Sequence, residues 1–438
     1  MTGRRRSTSP RTSPTSSRIR LACTAAVAAG ASLISGCGVL PGDAGASRDP
    51  VTVMTFAPVD TRATNMPGMP AMARAYARWV ESRGGMDGHE LRVITCNEQN
   101  TPEGAAACAR RAVKEGVVAV VGSYSQYGTF MAPLEAAGIP FIGGYGISEE
   151  EFTSYLSYPV NGGQPALLAG NGIQLAGSCG GVALVRPDSL AGDDLSQLLH
   201  SGLTSDRDHT TTADILAKDD ATDYTEQARQ ARTQAAKPRD TGAEAEGDRP
   251  GCVTAALGDR TETFFDSYRR LPDDGRDIRI ASVIGSVGQP LVDRTGGRSG
   301  PFEGAYVTGW YPEADDRRWD AMREVIDEHA FGDNAVDPAD AGVQTTWIAY
   351  TVLEKVVGAI DRDTITPRTL AYTLDQGLQV STDGLTPELR WGYEDMLPAP
   401  SFPRIVNRSV TFQIVKGGRL VAAQDEFVDV ADTLTSAF

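Results

Sequence analysis

The chain has 438 residues and a formal net charge of −16 at pH 7, and this length is sufficient for two domains. Residues 1–36 contain six arginines and no acidic residue, so the rest of the chain carries a formal charge of −22. A surface this acidic argues against nucleic acid and against an anionic membrane surface as partners. It also mildly disfavours anionic ligands.

The N-terminus has the pattern of an export signal. A basic, Ser/Pro-rich region precedes the apolar stretch Leu21–Ile34, which is too short to span a bilayer comfortably. The stretch ends in LISGC, which resembles a bacterial lipobox. We therefore expect residues 1–36 to be a lipoprotein signal peptide, Cys37 to be the lipidated first mature residue, and residues 37–50 to be a tether. A plain secretion signal with cleavage nearby is the alternative.

A strand–helix–strand unit follows in the first half of the chain. Val117–Val121 is a fully apolar, β-branched run, typical of a parallel strand buried on both faces. After a short helix that Gly138 ends, Ile139–Ile142 is predicted to be the next strand. Both strands run into loops of small residues, which leave the sheet at its carboxyl edge, where open α/β sheets bind ligands. The alternative is an ordinary βαβ unit with ordinary turns.

The remaining elements are predicted from apolar periodicity and from Gly, Pro and capping residues. Strands are expected at Val51–Phe56, Leu91–Thr95, Val182–Val185, Cys252–Leu257 and Ile278–Ile284, and a hairpin at Thr411–Ala422. Helices are expected at Pro102–Lys114, Gln164–Ala176 and Thr346–Ile360, with a further helix starting at the N-cap Thr366. Lys237–Pro250 is charged and nearly free of apolar residues, which predicts a disordered surface insertion.

Four cysteines, an even number, remain beyond Cys37 in a chain expected to be exported. Three pairings are possible, and we favour Cys96–Cys108 within the first domain and Cys179–Cys252 beside two strands of the second. A metal site is the alternative, but no CxxC and no His pair at ligand spacing accompanies these cysteines.

No catalytic motif is recognisable: the chain lacks a G-x-S-x-G elbow, a P-loop, an HExxH and an EF-hand loop. The four histidines lie in polar stretches, which predicts surface positions. The acidic pairs Asp219-Asp220 and Asp315-Asp316 are predicted to be solvated charges. We therefore expect neither an enzyme nor a protein with a cofactor or a metal.

The segment VVAVVGSYS…APLEAAGIPFIGG resembles the core of the branched-chain amino-acid-type periplasmic binding proteins, the solute receptors of ABC importers. WVESRGGMDGHEL at 79–91, ATDYTEQ at 221–227, Glu303-Gly304 and TWIAYTVLEKVVGAI at 346–360 follow in the family's order. The similarity covers roughly residues 50–425. It implies an α/β fold of type I with two doubly wound parallel-sheet lobes and a ligand cleft between them. The N-terminal lobe would be 51–160 plus 307–400, and the C-terminal lobe 161–306 plus 401–438.

In the proteins that this chain resembles, hydroxyls and amides of two strand-end loops hold the ligand's carboxylate. Carried over by position, the first lobe would bind ligand through Ser123, Tyr124, Ser125, Gln126, Gly144, Tyr145 and Gly146. The facing lobe would contribute Asp188 or Leu190, Gly258-Asp259 and Ser286. For each position, the alternative is a turn residue that satisfies its own backbone.

Three departures from the family pattern argue against assuming a branched-chain amino acid as ligand. The family's paired Ser-Ser appears as Ser125-Gln126, and its Ser-Ala-Thr as Tyr145-Gly146-Ile147. The acidic residue that often pairs the ligand ammonium is missing from Gly285–Gly288.

The resemblance implies a monomeric receptor that captures a small polar solute, such as an amino acid, an amide or a related compound. Its partners would be an importer's permease and ATPase, and its lipid would hold it at the extracytoplasmic face of the bacterial cell membrane. A lipid-anchored sensor that signals occupancy to a partner protein is the alternative, and a ligand-free structural lipoprotein a weaker one.

Replacing the lipobox cysteine tests the expected anchor. Cys37→Ala should release the protein from the membrane fraction and abolish its labelling by a fatty-acid analogue, because the thioether has no other sulfur at the cleavage site. Continued labelling of the variant would contradict the assignment.

Overall fold

The computed structural model describes residues 48–437, except Ala63, 206–210, 219–220, 237–248 and 284–285, and except the side chains of Leu190, Ala191, Thr211 and Asp259. The predicted signal peptide, Cys37, most of the tether, most of the insertion at 237–250 and Asp219-Asp220 therefore lie outside the described residues. No helix of the described part is long and apolar enough to cross a membrane.

The described strands alternate with helices through most of the chain. The strands are β1 (Val51–Ala57), β2 (Leu91–Asn97), β3 (Ala119–Val121), β4 (Phe141–Ile142), β5 (Ser157–Tyr158), β6 (Gly181–Pro187), β7 (Thr211–Ala217), β8 (Gly251–Ala255), β9 (Ile278–Val283), β10 (Tyr306–Gly309), β11 (Ser409–Lys416), β12 (Arg419–Ala422) and β13 (Val428–Asp429). The helices are α1 (Gly68–Ser82), α2 (Pro102–Glu115), α3 (Met131–Ala137), α4 (Glu150–Thr153), α5 (Gly163–Ser178), α6 (Leu190–Thr204), α7 (Thr225–Ala235), α8 (Thr261–Arg269), α9 (Gln289–Arg294), α10 (Asp320–His329), α11 (Ala341–Ile360), α12 (Pro367–Asp375) and α13 (Ala431–Ser436).

The strands form two sheets, one in each lobe. The first has the order β2-β1-β3-β4-β5, and every neighbouring pair is parallel. The second has the order β12-β11-β10-β9-β8-β6-β7, with β13 paired to β11. Its strands β6 to β10 are parallel and repeat the order of the first sheet, because helical crossovers join them in the same way. The predicted α/β class with two doubly wound sheets is confirmed.

Helix α11 is the central helix of the first lobe. Ile348, Val352 and Val356 on this helix are fully buried, as their helical spacing predicts. The helix begins five residues earlier than predicted, at Ala341, because the side chain of Asp340 accepts hydrogen bonds from the N–H groups of the first turn.

Two details differ from the sequence-based expectations. Residues 307–309 pair within the second sheet as part of β10, so the chain returns to the first lobe only after Gly309. His89, expected at the surface, is fully buried. Its Nδ1 lies 2.6 Å from the carbonyl oxygen of Asp49, and its Nε2 lies 3.1 Å from that of Arg362. A tight turn at Met86–His89 inserts the ring between these two segments.

The segments that cross between the lobes are hydrogen-bonded to one another. Asn161 Nδ2 donates to the hydroxyl of Tyr311 at 2.9 Å, and Trp310 Nε1 donates to the carbonyl of Gly163 at 2.9 Å. Asn407 Nδ2, on the third segment, donates to the carbonyl of Val160 at 3.0 Å. We call this group of crossing segments the hinge.

Two disulfides connect the cysteines in the pairs that the sequence favours. Cys96–Cys108 joins the end of β2 to α2 with a Cα–Cα distance of 5.8 Å. Cys179–Cys252 joins the residue after α5 to β8 at 5.9 Å. Each disulfide lies within one lobe.

Removing either disulfide should destabilise the protein, and somewhat more for the longer of the two loops. Cys96→Ala/Cys108→Ala should lose about 3 kcal/mol of unfolding free energy and Cys179→Ala/Cys252→Ala about 4 kcal/mol, because the longer loop restricts the unfolded chain more. Urea unfolding of each variant beside the oxidised wild type measures the loss. Four free thiols in non-reducing peptide mapping of the wild type would contradict the pairing.

Candidate functional site

The carboxyl edge of the first sheet brings the predicted first-lobe residues together. The backbone N–H of Tyr145 donates to the carbonyl of Ser123 at 3.0 Å, which joins the loops after β3 and β4. Gln126 Nε2 donates to Thr64 Oγ1 at 3.0 Å, which adds the loop after β1. The three loops thus form one surface, as the strand directions predict.

Two glycines allow close packing on this edge. Gly143 has a φ of +64°, and a Cβ built there would lie 2.4 Å from the Cβ of Ala349, so α11 packs directly against the loop after β4. A Cβ at Gly144 would lie 1.8 Å from Oε2 of Glu151, so this carboxyl group occupies the space that a side chain would need.

The hydroxyls after β3 are buried and bonded within the protein. Ser123 Oγ accepts a hydrogen bond from the N–H of Phe56 at 3.0 Å, and Ser125 Oγ accepts one from the N–H of Tyr127 at 3.1 Å. Ser125 also donates to Glu98 at 3.3 Å. Burial raises the pKa of Glu98, which the hydrogen bonds from Asn100 and Ser125 partly oppose.

The donors after β4 bind the side chain of Glu151. Its carboxyl oxygens accept from the N–H groups of Gly146 at 3.0 Å and of Ile147 and Ser148 at 3.1 Å, and from the Ser148 hydroxyl at 3.3 Å. Glu151 is only 2% exposed, and burial raises its pKa to about 7 although these hydrogen bonds favour the ionised form. An internal carboxyl group therefore holds this loop in shape.

A row of buried aromatic rings leads from this edge to the hinge. The rings of Tyr124 and Tyr145 are 5.2 Å apart, those of Tyr145 and Trp310 are 5.0 Å apart, and those of Trp310 and Tyr311 are 6.0 Å apart. Burial raises the pKa of Tyr145 well above its usual value, and the charge of Asp340 adds to the effect. Tyr145 is therefore neutral at physiological pH and presents a ring with a polar tip.

A cleft lies beside the hinge and between the lobes. It is lined by Tyr311, Pro312, Glu313, Ala314 and Asp315 of the hinge, by Ala339 and Gln344 of the first lobe, and by Gln289, Gln413 and Leu420 of the second. Its wall combines amide, carboxylate and phenol groups. The space within it is about 20 Å³, which has room for about one water molecule in the described arrangement of the lobes. Among the described residues, no group of three His, Cys, Asp or Glu side chains could hold a metal ion.

Three predicted second-lobe residues that the structure describes are not brought into contact with this edge. Asp188 and Gly258 are exposed, and Ser286 is half-buried. Leu190 begins α6, and its side chain and that of Asp259 lie outside the described residues. Within the described part, no hydrogen bond or ring contact joins Asp188, Gly258 or Ser286 to the first-lobe loops. Their role in binding stays a prediction.

Several residues of this region were missed from the sequence. Glu151 belongs to an acidic triplet, a pattern typical of the surface, so the sequence gives no sign of its burial. Trp310 and Tyr311 form an aromatic pair directly after β10, and such a pair at a strand end could have been recognised in the sequence as a candidate for the site. Gln344 could have been found only by placing the start of α11 correctly.

The known proteins that this chain is similar to are periplasmic or solute-binding proteins. A family model for periplasmic binding proteins matches residues 61–396. A solute-binding protein of an ABC transporter from Rhodopseudomonas palustris HaA2, solved with p-hydroxybenzoic acid, is 15% identical with a TM-score of 0.67, over 89% of this chain and 100% of that one. The leucine-binding protein LivK from Thermotoga maritima MSB8 is 17% identical with a TM-score of 0.63, over 87% and 99%.

A branched-chain amino acid ABC transporter protein from Thermus thermophilus, solved with valine, is 15% identical with a TM-score of 0.64, over 87% of this chain and 97% of that one. At such identities the likeness establishes the fold, and the two-lobe type I fold is confirmed. No curated protein sequence matches the chain at a significant level.

The burial of Glu151 predicts a pH dependence of stability. Its pKa is about 7 in the folded protein and about 4.5 when unfolded, so the folded state binds more protons between these values. The unfolding free energy should therefore fall by about 2–3 kcal/mol as the pH rises from 5 to 8. Urea unfolding of Glu151→Gln should lack this component, whereas the exposed control Glu149→Gln should keep it. Parallel profiles for wild type and Glu151→Gln would contradict the assignment.

Proposed function

Since the chain belongs to the periplasmic binding protein family, we propose that it is an extracytoplasmic receptor that captures a small polar solute and delivers it to an ABC importer. The solute class is an amino acid, an amide or a related compound. The protein binds its solute without transforming it, and it acts as a monomer.

The observation that carries this proposal is the cleft beside the hinge. Residues of both lobes line it, so a solute bound there would contact both at once. Its wall includes Tyr311, which also belongs to the hydrogen-bonded hinge. A molecule in the cleft would therefore act on the segments about which the lobes can move.

Binding would proceed by closure of the lobes. Rotation about the crossing segments would bring the second lobe over the solute and bury it, and the closed shape would be recognised by a permease. The predicted first-lobe residues do not line the cleft as described, so they would meet the solute only on closure. Ser123, Ser125 and Gln126 would then supply polar groups, and Tyr124 and Tyr145 an aromatic wall. The backbone of Gly144–Gly146 would complete this side, and Asp188, Asp259 and Ser286 would face it.

The proposed location at the membrane is based on the lipobox-like sequence that ends at Cys37. A lipid on Cys37 would hold the receptor at the extracytoplasmic face of the cell membrane, and residues 37–50 would leave it free to reach the permease. The importer's permease and ATPase are the proposed protein partners.

A thermal-shift screen with amino acids, amides, ureas, sugars, amines and small aromatic acids tests the proposal. A solute at 1,000 times its Kd should add about 4 kcal/mol of stability. For the solute found, Gln344→Ala should weaken binding about ten- to a hundredfold in calorimetry, because an amide of the cleft wall is lost. Gln197→Ala, on the exposed face of α6, is the matched control and should bind like wild type.

Scattering and uptake complete the test. The radius of gyration should decrease on saturation, and curves that overlay with and without solute would count against closure. Uptake of the labelled solute should be lost when the gene is deleted. Undiminished uptake would instead favour the sensor.

A further inference from the structure

The strand-end loops of the first lobe have few donors left for an anion. Three consecutive N–H groups after β4, those of Gly146, Ile147 and Ser148, and the Ser148 hydroxyl all donate to Glu151. The N–H of Tyr145 donates to the carbonyl of Ser123. A carboxylate or phosphate entering here would have to displace a fully enclosed internal carboxyl group.

The neighbouring loop after β3 repeats this arrangement. Ser123 and Ser125 use their hydroxyls within the protein, and Ser125 donates to the fully buried Glu98. An anion near Ser125 would meet a second carboxyl group rather than a free donor. Anionic ligands are normally held by N–H groups, hydroxyls or guanidinium groups, so this edge is poorly equipped for one.

The charges at the cleft wall favour a cation. None of its ten described lining residues is Lys, Arg or His, and two are acidic. Asp315 is bridged by Arg419 at 2.9 Å. Glu313 is half-buried and forms no salt bridge or side-chain hydrogen bond with any described residue. Arg318, whose charge interacts with Glu313, is itself held by two hydrogen bonds to Asp316.

We propose that the solute bound in this cleft is a small organic cation without a carboxylate, with its charge at Glu313 and its body against the ring of Tyr311. The carboxylate of Glu313 supplies the charge partner. Tyr311 is only 3% exposed and packs against Trp310 and Trp319, so its ring supplies an apolar boundary for the body of the cation. The amides of Gln344 and Gln413 can accept hydrogen bonds from an ammonium group, whereas Oε1 of Gln289 already accepts one from the N–H of Leu420 at 2.9 Å. This inference rests on the proposed function and specifies its solute class.

Matched pairs that differ only in the carboxylate test the inference on the full chain. We would compare isoamylamine with leucine, isobutylamine with valine, and agmatine with arginine, by thermal shift and calorimetry at pH 7. Amines should raise the melting temperature and bind at least about tenfold more tightly than their amino acids, since a carboxylate has no free donor to meet.

The outcomes separate the inference from the proposed function. Tighter binding of an amino acid than of its amine overturns the inference and leaves the receptor function standing. Binding of neutral amides or sugars alone does the same. No shift with any anion, amine or neutral solute counts against the receptor function, and the inference then falls with it.

Substitution of Glu313 tests the assigned charge partner. Glu313→Gln should weaken binding of the best amine about tenfold or more, because the ammonium loses its ionic partner. Glu149→Gln removes an exposed carboxylate of the first lobe and should leave the affinity unchanged. Equal binding by wild type and Glu313→Gln would overturn the placement of the cation.

Formate tests whether Glu151 occupies an anion site. In Glu151→Ala the loop donors are freed, so formate should raise the melting temperature of this variant by about 2 °C or more. The wild type and Glu149→Ala should not respond. If Glu151→Ala folds poorly, its refolding yield with and without formate gives the same comparison. Absence of rescue would overturn the argument that the donors are already used.

Discussion

The arrangement of the two lobes depends on a few buried hydrogen bonds between the segments that form the hinge. The hydroxyl of Tyr311 receives a hydrogen bond from Asn161 and lies 3.0 Å from Oγ1 of Thr345, at the start of α11. The indole N–H of Trp310 is satisfied by Gly163. A buried polar group that loses its partner costs about 1–3 kcal/mol, so these contacts keep the crossing segments in register. Any rotation of the lobes must preserve or exchange them.

The need of buried polar groups for partners also determines the structure at the edge of the first sheet. A loop with several N–H groups aimed at one point needs an acceptor, and Glu151 supplies it from within the chain. Burial of this carboxyl group is unfavourable, as its raised pKa indicates. In return the loop has a fixed shape without a ligand, and Gly144 leaves the room that this arrangement needs. The loop is therefore a rigid wall rather than an open binding loop.

The sequence predicted the elements whose signals are local. The βαβ unit around Val117–Ile142, the capped start of α12 and the late hairpin depend on apolar runs, Pro, Thr and Gly at fixed spacing, and all three are present. Partners that come from distant parts of the chain were not predictable. The acceptor for the loop after β4 lies in an acidic triplet, and His89 is enclosed by segments near 49 and 362.

The sequence predicted which loops meet at the candidate site, but not which of their polar groups are already hydrogen-bonded. Strand directions alone bring the loops after β1, β3 and β4 to one edge, and the contact between Gln126 and Thr64 agrees with this. Whether a hydroxyl there is free depends on tertiary neighbours such as Phe56 and Glu98, which no spacing rule identifies.

The two sheets share one strand order, yet the walls of the cleft are not equivalent. In the second lobe the antiparallel strands β11 and β12 extend the sheet beyond β10, and they place Gln413 and Leu420 at the cleft. The first lobe contributes the start of α11 through Gln344, and the crossing segment contributes Glu313. The polar groups of the strand-end loops are hydrogen-bonded within the first lobe, to each other and to Glu151. The hinge, the start of α11 and the hairpin, in contrast, place polar groups at the cleft. Discrimination between solutes should therefore depend on these later parts of the chain more than on the glycine-rich loops that first draw attention in the sequence.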